Sequence, residues 1–587
     1  MKFFQICKRS AVIQSLLVIL IIAAFLYYAG GKTGYLYAGA DLRFHVNRMY
    51  EIQKNLETGH LLPTISTFSA NQVGSFVIRL YPQMPVYIGA ILLMVFPPVF
   101  AMYLFMGLQI FLGFLVCKYV ARKFYLDQLN STFVAITYAL CIPLLSRAIQ
   151  QWLMGEVWAI SFMPLVILGF VGIVSHSNET DDAHQIVSIT LRQSIVALAL
   201  GMGLVLFCHI LSFVILCFFL GIGFVIALCL AKQKWLLTKS MVAAGVLGGG
   251  FTAYFWLPLL LVFHNNRIAN PIILKDLPTW ASPDLQQFLG NVMGLHFSTD
   301  TTGLIVLIAL FIFLVTYHKQ TRLTKWLAAT CLLVTVSESK EVWQYLYWPP
   351  LSQIQFPNRM LGIVFFLGSL LLGLSVVAAF SNRRQSQHYF LFVVALFAIG
   401  ISFVSVKNEW LPMINHDRVA IKVKPSKHHL VDTTTPDSFK VNNHEFHYLM
   451  GYWTNYGATD YWPKATNNDV SLIDHVVKRD GKKGTAKLHP LPNGMRYQGH
   501  FDAHSTVVLP FVMYHGRYQV TDQQGHPLQY HVDKHAQLVV KTKQQTSAIT
   551  VYRPVELSTY LALAMSVLTA ICLIVLGYQR PRKSMKH

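Results

Sequence analysis

Apolar runs close to the membrane-spanning length of about 20 residues recur along this chain, separated by short polar stretches. The first, Ala11 to Tyr28, follows Lys2, Lys8 and Arg9, and no small-residue cleavage site comes after it, so it is read as an uncleaved anchor. Met84 to Phe96 is too short to cross and ends at Pro97-Pro98, whereas the next run is long enough and closes on Lys118, Arg122 and Lys123. The pattern therefore predicts an interfacial or re-entrant helix over 84–96 and a second span over 99–120. Further spans are predicted over about 131–146, 157–174, 193–209, 211–230, 241–262, 302–317, 326–336, 360–380, 389–405 and 558–577, twelve in all. Two long polar stretches interrupt them, 30–98 and 406–556. The second is irregular and aromatic-rich up to 493. From about Met495, short alternating runs such as Ser505-Thr506-Val507-Val508-Leu509 and Ala548-Ile549-Thr550-Val551-Tyr552 predict a small antiparallel β-sandwich.

Composition supports a polytopic membrane protein: of 587 residues, 54% are hydrophobic and only 12% charged, about half the usual charged share. The net charge of +21 would suggest nucleic acid in a soluble chain, but its distribution excludes that reading. Residues 407–556 hold 18 Lys and Arg against 13 Asp and Glu, a net +5, which leaves +16 in the membrane part, largely in clusters beside the spans. That is the positive-inside pattern. It puts both termini in the cytoplasm and stretches 30–98 and 406–556 outside. The expected organisation is a membrane domain 1–405, an extracellular domain 406–556 and a last span with a basic tail, 557–587. The eight Cys lie in or beside predicted spans and read as small core hydrophobes rather than a disulfide framework.

Candidate chemistry gathers where the outer stretches meet the span ends. If Asp41 starts a helix, His45 and Arg48 share its face, while Leu42, Val46 and Met49 fall on another and pack down. Asp41 could equally be a plain helix cap, placed there for dipole reasons. Arg79 to Pro85 closes the same stretch; Arg147, Trp152 and Glu156 flank another span mouth; His209 ends a span; Gln355-Phe356-Pro357-Asn358-Arg359 opens one. Arginines at one water–lipid boundary suit a lipid-linked phosphate, and a carboxylate can take a proton from an acceptor hydroxyl. The bland alternatives are a structural partner for Glu156, snorkelling for Arg147 and Arg359, a rim role for His209 and belt positions for Trp343 and Trp348. His428, His429, His444 and His447 invite a reading as zinc ligands. His444-Glu445-Phe446-His447 is one residue short of metalloprotease spacing, and no metal site is assigned.

Asp41-Leu42, Phe44-His45 and Arg48, followed by Tyr81-Pro82 and Pro85, resemble the opening signature of a bacterial polytopic membrane family labelled 6-pyruvoyl-tetrahydropterin synthase-related, which overlaps the YfhO-like proteins. Gly155-Glu156, Pro164-Leu165, His209-Ile210-Leu211-Ser212, Gln355 to Arg359, Leu509-Pro510 and Tyr514-His515-Gly516-Arg517-Tyr518 match it in order; Asn358 stands where an aromatic is usual. The resemblance implies an α-helical GT-C-like fold with a β-rich extracellular domain before the last span. It also implies glycosyl transfer from a polyprenyl-phosphate-sugar donor to a surface glycopolymer or lipid acceptor. By the same resemblance Asp41 is the expected catalytic residue, a base or acceptor-orienting group. His45, Glu156 and His209 are expected to support it, and Arg48, Arg147 and Arg359 to bind the lipid phosphate. Arg43 occupies the place of a second acid in the paired motif that such enzymes often carry, which leaves a divalent metal open. The pterin label carries no chemistry here, because no zinc ligands for it can be placed. The rival reading is a non-enzymatic transporter or scaffold for envelope glycan assembly, which would need charged or broken helices near the midplane.

Overall fold

The computed structural model describes residues 10–37, 39, 41–178, 186–269, 282–293, 296–347, 351–354, 356–416, 419–420, 439–450, 459, 461–467 and 470–578. Gln355, Trp348, His428, His429 and the basic residues of both termini lie outside these. In chain order the main helices are α1 (Ala11–Ala29), α2 (Leu42–Glu57), α3 (Met84–Val95), α4 (Pro98–Lys123), α5 (Gln128–Ala139), α6 (Ile142–Ile149), α7 (Met154–His176), α8 (Leu191–Cys208), α9 (Ile210–Leu230), α10 (Lys234–Phe251), α11 (Ala253–Asn265), α12 (Leu304–Val315), α13 (Arg322–Val336), α14 (Leu361–Ala379), α15 (Arg384–Ser405) and α16 (Leu557–Gly577).

Eight of the described helices (α1, α4, α7, α8, α9, α14, α15 and α16) are long and apolar enough to cross a membrane. Two bent pairs, α5–α6 at 48° and α10–α11 at 79°, raise this to ten if each is one broken span. Pro143 enters the first turn of α6 just after the α5–α6 break, and Thr252 at the α10–α11 break follows three consecutive glycines. The twelve-span expectation exceeds this count at two places. α12 has only 12 residues, and α13 has 15 and carries Arg322 and Lys325 in its first turn. At 1.5 Å per residue they reach about 18 and 22 Å, short of a hydrocarbon core of about 30 Å. α3, with 12 residues, is the short helix the pattern predicts.

The strands are β1 (Leu36–Tyr37), β2 (Val419–Ala420), β3 (Phe439–Val441), β4 (Val477–Arg479), β5 (Lys482–Gly484), β6 (Lys487–Leu491), β7 (Gly494–Phe501), β8 (Thr506–Val512), β9 (Gln519–Thr521), β10 (Gln529–Val532), β11 (Gln537–Lys541) and β12 (Thr546–Tyr552). The last nine form two antiparallel sheets, β10-β11-β8-β4-β5 and β6-β7-β12-β9. The β-rich part thus begins at Val477, earlier than the expected Met495, because β4 and β5 are too short and too basic to alternate visibly. Val477, Tyr497, Phe501, Val507, Leu509, Phe511, Leu538, Val540 and Ile549 are buried between the sheets. Their cluster also takes in Ile65, Val73, Phe76 and Leu80, so the stretch after α2 shares a core with the sheets.

That junction is held by polar groups as well. The Glu51 carboxylate on α2 accepts from the backbone N–H of Thr67 (3.1 Å), Phe68 (2.9 Å) and Ser69 (2.8 Å) and from Ser69 Oγ (3.0 Å). Asn493 Oδ1, ahead of β7, accepts from Thr64 N at 2.7 Å, and Val512 N donates to Val73 O at 2.7 Å. Phe76 stacks on Tyr514 at 3.7 Å, and the Arg553 guanidinium lies over the rings of Phe76 (4.8 Å) and Tyr518 (4.9 Å). Elsewhere Trp343 is buried, which overturns its expected place in an aromatic belt. Of the cysteines, Cys117, Cys208 and Cys331 are core residues as expected, but Cys217, Cys229 and Cys572 are exposed on the helix surfaces.

Replacing Glu51 by Ala strips a carboxylate from three buried backbone N–H groups, each worth about 1–3 kcal/mol when left unpaired. The expected outcome is a melting temperature several degrees lower in detergent and new proteolytic cuts between residues 58 and 76. An unchanged melt and cutting pattern would show that the loop does not depend on this carboxylate.

Candidate functional site

Four chain segments meet at one end of the helical bundle: the start of α2, the start of α7, the α8–α9 junction and the turn before α14. The basic span ends lie at the other end, where Lys118 Nζ donates to Gln14 Oε1 near the start of α1 (2.7 Å) and Arg384 pairs with Asp127 (3.2 Å).

Two glycines permit the approach. A Cβ on Gly39 would fall 1.8 Å from Gln150 O, and one on Gly155 would fall 2.7 Å from Cys208 O. Only a residue without a side chain lets these backbones touch. Asp41 N then donates to Gln151 O at 3.2 Å, which ties the start of α2 to the turn before α7. That turn is sharp: Trp152 sits in the left-handed region at φ +58° and donates from Nε1 to Tyr37 O at 2.7 Å. A bulky residue in this conformation is strained by about 1–2 kcal/mol. The turn has a geometric effect. In one continuous helix, residues nine apart face opposite ways, whereas here the break brings Arg147 Nε to 2.8 Å from Glu156 Oε1.

Asp41 stands at the cap position of α2, where a carboxylate suits the helix dipole, and its side chain makes no capping hydrogen bond. Its carboxyl is pushed up to about 6, chiefly by burial; Arg359 opposes the shift and Glu156 adds to it. The expected face of α2 is present: Leu42, Val46 and Met49 are buried on the packing side, and His45 and Arg48 stand together, Nδ1 to Nη1 at 3.4 Å. Burial, then Arg48 and His209, hold His45 well below its ordinary range, so its ring is neutral.

Arg48 is buried and has no carboxylate partner among the described residues. Its Nη2 donates to Tyr81 O (3.2 Å) and Pro82 O, its guanidinium lies 4.5 Å over the Tyr81 ring, and its Nε has no partner. Burial lowers it to about 10, which leaves it cationic at neutral pH. His45, Arg48, Tyr81, Pro82, Pro85, Val86, Met154, Gly155 and Cys208 line a narrow cleft at this end of the bundle.

The other candidates divide by what they touch. Arg147 is fully buried. Besides Glu156 it donates to Pro143 O (3.0 Å) and Asn358 O (2.8 Å). Its guanidinium is thus spent on the protein, unlike that of Arg48. Glu156 lies between two cations, with Arg359 Nε 3.9 Å from its second oxygen. Arg359 is half-buried, donates to Ile354 O at 2.7 Å and stacks on Phe356 at 5.1 Å. His209 caps α9: its Nδ1 accepts from Ser212 N at 3.3 Å and lies 2.9 Å from Ser212 Oγ. His444 lies in the turn just before a short helix, Phe446–Leu449, that carries His447, whose Nδ1 bonds to His444 O.

Two residues outside the candidate set belong to the site. Tyr81 is pushed up to about 12 by burial and by Asp41, against Arg48; its place in the Tyr81-Pro82 motif was the available signal. Glu338 is buried, and neither of its oxygens has a hydrogen-bond partner among the described residues. Burial, then Asp300, raise it well above the carboxylate range against Arg147. No sequence signal marked it.

No family model matches the chain, and no curated protein matches it in sequence. Among solved structures it is similar to the arabinofuranosyltransferase AftD from Mycobacteria, at 14% identity and TM-score 0.42 over 92% of this chain and 40% of that one. It is similar to ArnT from Cupriavidus metallidurans bound to undecaprenyl phosphate, at 13% identity and TM-score 0.34 over 69% of this chain and 74% of that one. It is also similar to the oligosaccharyltransferase of Archaeoglobus fulgidus in complex with Zn and sulfate, at 14% identity and TM-score 0.42 over 76% of this chain and 58% of that one. The chain spans only 27% to 40% of the length of the two mycobacterial chains it matches first.

Removing one partner of a buried ion pair costs about 3–5 kcal/mol, whereas replacing both by apolar groups is often neutral. Arg147→Met or Glu156→Leu alone should therefore lower the melting temperature more than the double variant does. Additive losses in the double-mutant cycle would refute the coupling.

Proposed function

We propose that this protein is an integral-membrane glycosyltransferase. It moves a sugar from a polyprenyl-phosphate carrier to a hydroxyl of a cell-surface glycopolymer or lipid acceptor. The supporting observation is the presence of two groups at one bundle end: a half-buried Asp41 carboxylate with no capping hydrogen bond, and a buried Arg48 cation with no carboxylate partner among the described residues. A guanidinium beside a cleft, with no described carboxylate to neutralise it, suits a phosphate. The family resemblance in the sequence gives Asp41 the same role. The positive-inside distribution puts this end of the bundle, with the β-rich part, on the outer face.

In the transfer, the acceptor oxygen attacks the sugar's anomeric carbon as the bond from that carbon to the phosphate oxygen breaks. The polyprenyl phosphate leaves with the bond's electron pair. The acceptor's proton passes to Asp41, which acts as general base. A carboxyl at about 6 is mostly ionised at pH 7 yet basic enough to accept it. Arg48 balances the charge that grows on the phosphate, Arg359 borders the acid, and His45 stays neutral between them. Arg147 and Glu156 serve as positioning residues, since they hold the start of α7 to the turn before α14. His209 fixes the α8–α9 mouth. Arg43 stands where a second acid would sit, and no residue is assigned to a metal.

Asp41→Asn should lower transfer of labelled sugar from a polyprenyl-phosphate donor by about 10²–10⁴-fold, with insertion and melting temperature preserved. In the wild type, the rate should rise with pH through about 6, as Asp41 loses its proton, and then level off. Full transfer by the Asn variant, or a flat profile between pH 5 and 7, would rule out Asp41 as the base. Loss of surface polymer in a deletion strain but not in the Asn strain would favour the scaffold reading instead.

A further inference from the structure

The tip of the β-rich part carries an unpaired row of cations. Asp480 and Gly481, at φ +46° and +81°, form the tight turn between β4 and β5. The register sets Lys478 opposite Lys483, and Arg479 opposite Lys482. Like charges directly opposite each other destabilise a strand pair, so this hairpin is costly on its own. Its acid is occupied: Asp480 Oδ1 accepts from Thr506 N at 2.8 Å. Arg479 is occupied as well, donating to Thr485 O and lying over the Phe501 ring at 5.1 Å.

The row continues across the sheet. Lys478 pairs with Val508, and Lys541 with Thr506. Alternation therefore puts Lys478, Lys483 and Lys541 on one outward face. Lys487, at the start of β6 in the other sheet, and Lys543, two residues beyond Lys541, are exposed as well. Among the described residues no carboxylate pairs with any of these five lysines. The other end of β8, Val512, is bonded to Val73 near the helices. Seven residues of strand separate the two ends by about 20 Å, so Lys541, opposite Thr506, lies at the end of β8 away from the helices.

We propose that this face binds a linear, phosphate-bearing polymer in solution. The inference goes beyond the transfer reading and does not rest on Asp41. A solvated lysine cluster would be soluble without an occupant, but like charges held in cross-strand register, with no ion pair to a described acid, give a polyanion a prearranged set of counter-charges.

The test uses the full chain in neutral-lipid nanodiscs, with fluorescent linear polyphosphate as the probe and neutral dextran and phosphatidylglycerol vesicles as alternatives. Wild type should bind polyphosphate, more weakly as salt rises, and should not bind dextran. The triple variant Lys478→Gln, Lys483→Gln, Lys541→Gln should lose at least tenfold in affinity while melting no lower than wild type, because it removes a repulsive pair. Equal affinity in the triple variant, salt-independent binding, equal binding of dextran, or preferential capture of the vesicles would each overturn the proposal. Binding is read without turnover, so its failure leaves the Asp41 test standing.

Discussion

Glu156 holds this end of the molecule together. One carboxylate, buried among helix ends, faces two guanidinium groups that arrive from different parts of the chain, Arg147 at 2.8 Å and Arg359 at 3.9 Å. A single negative charge in such surroundings is tolerable only when paired, and the pairing fixes where α7 begins and how the turn before α14 lies. Asp41 inherits its position from that arrangement through its hydrogen bond to Gln151. The strained backbone at Trp152 and the missing Cβ atoms at Gly39 and Gly155 are what make the convergence sterically possible.

Much of this was legible before the fold was known. The two faces of α2 follow from helical periodicity, and α3 is short because its apolar run is short. Asp41, His45 and Arg48 lie along one face of one helix over its first two turns. What was not legible depends on contacts across long sequence separations. Arg147 looks like Arg48 in the sequence, a lone cation at a span mouth; only the break at 150–153 shows that one is paired with an acid and the other is not. Glu338 has no periodicity or motif to mark it. Trp343 reads as a belt residue because belts are the usual place for Trp, and its burial is set by neighbours from elsewhere in the chain. The count of spans fails where apolar runs are long enough to notice but too short to cross.

The β-rich part is not an appendage. Its inner cluster includes Ile65, Val73, Phe76 and Leu80 from the first polar stretch, and Arg553 is sandwiched between a ring from each side. Arg79 reaches the first turn of α16, donating to Thr559 at 2.9 Å. The segment that presents Tyr81 to Arg48 is therefore gripped by α2, by the sheets and by the last helix together. A site built this way is stiff, as precise placement of an acid and a cation requires.

The bond from Thr64 to Asn493 spans 429 residues, and that separation has a consequence in time. At about 5–20 residues per second of synthesis, the segment after α2 waits roughly 20–90 s on the ribosome before its partners exist. During that interval Phe76 and Val73 have no core to enter, and the donors that Asn493 will satisfy have only water or a chaperone. Helices can insert as they emerge, but the cleft beside Arg48 reaches its final shape only after the sheets have been made. The chain is thus built so that the part made first is the part completed last.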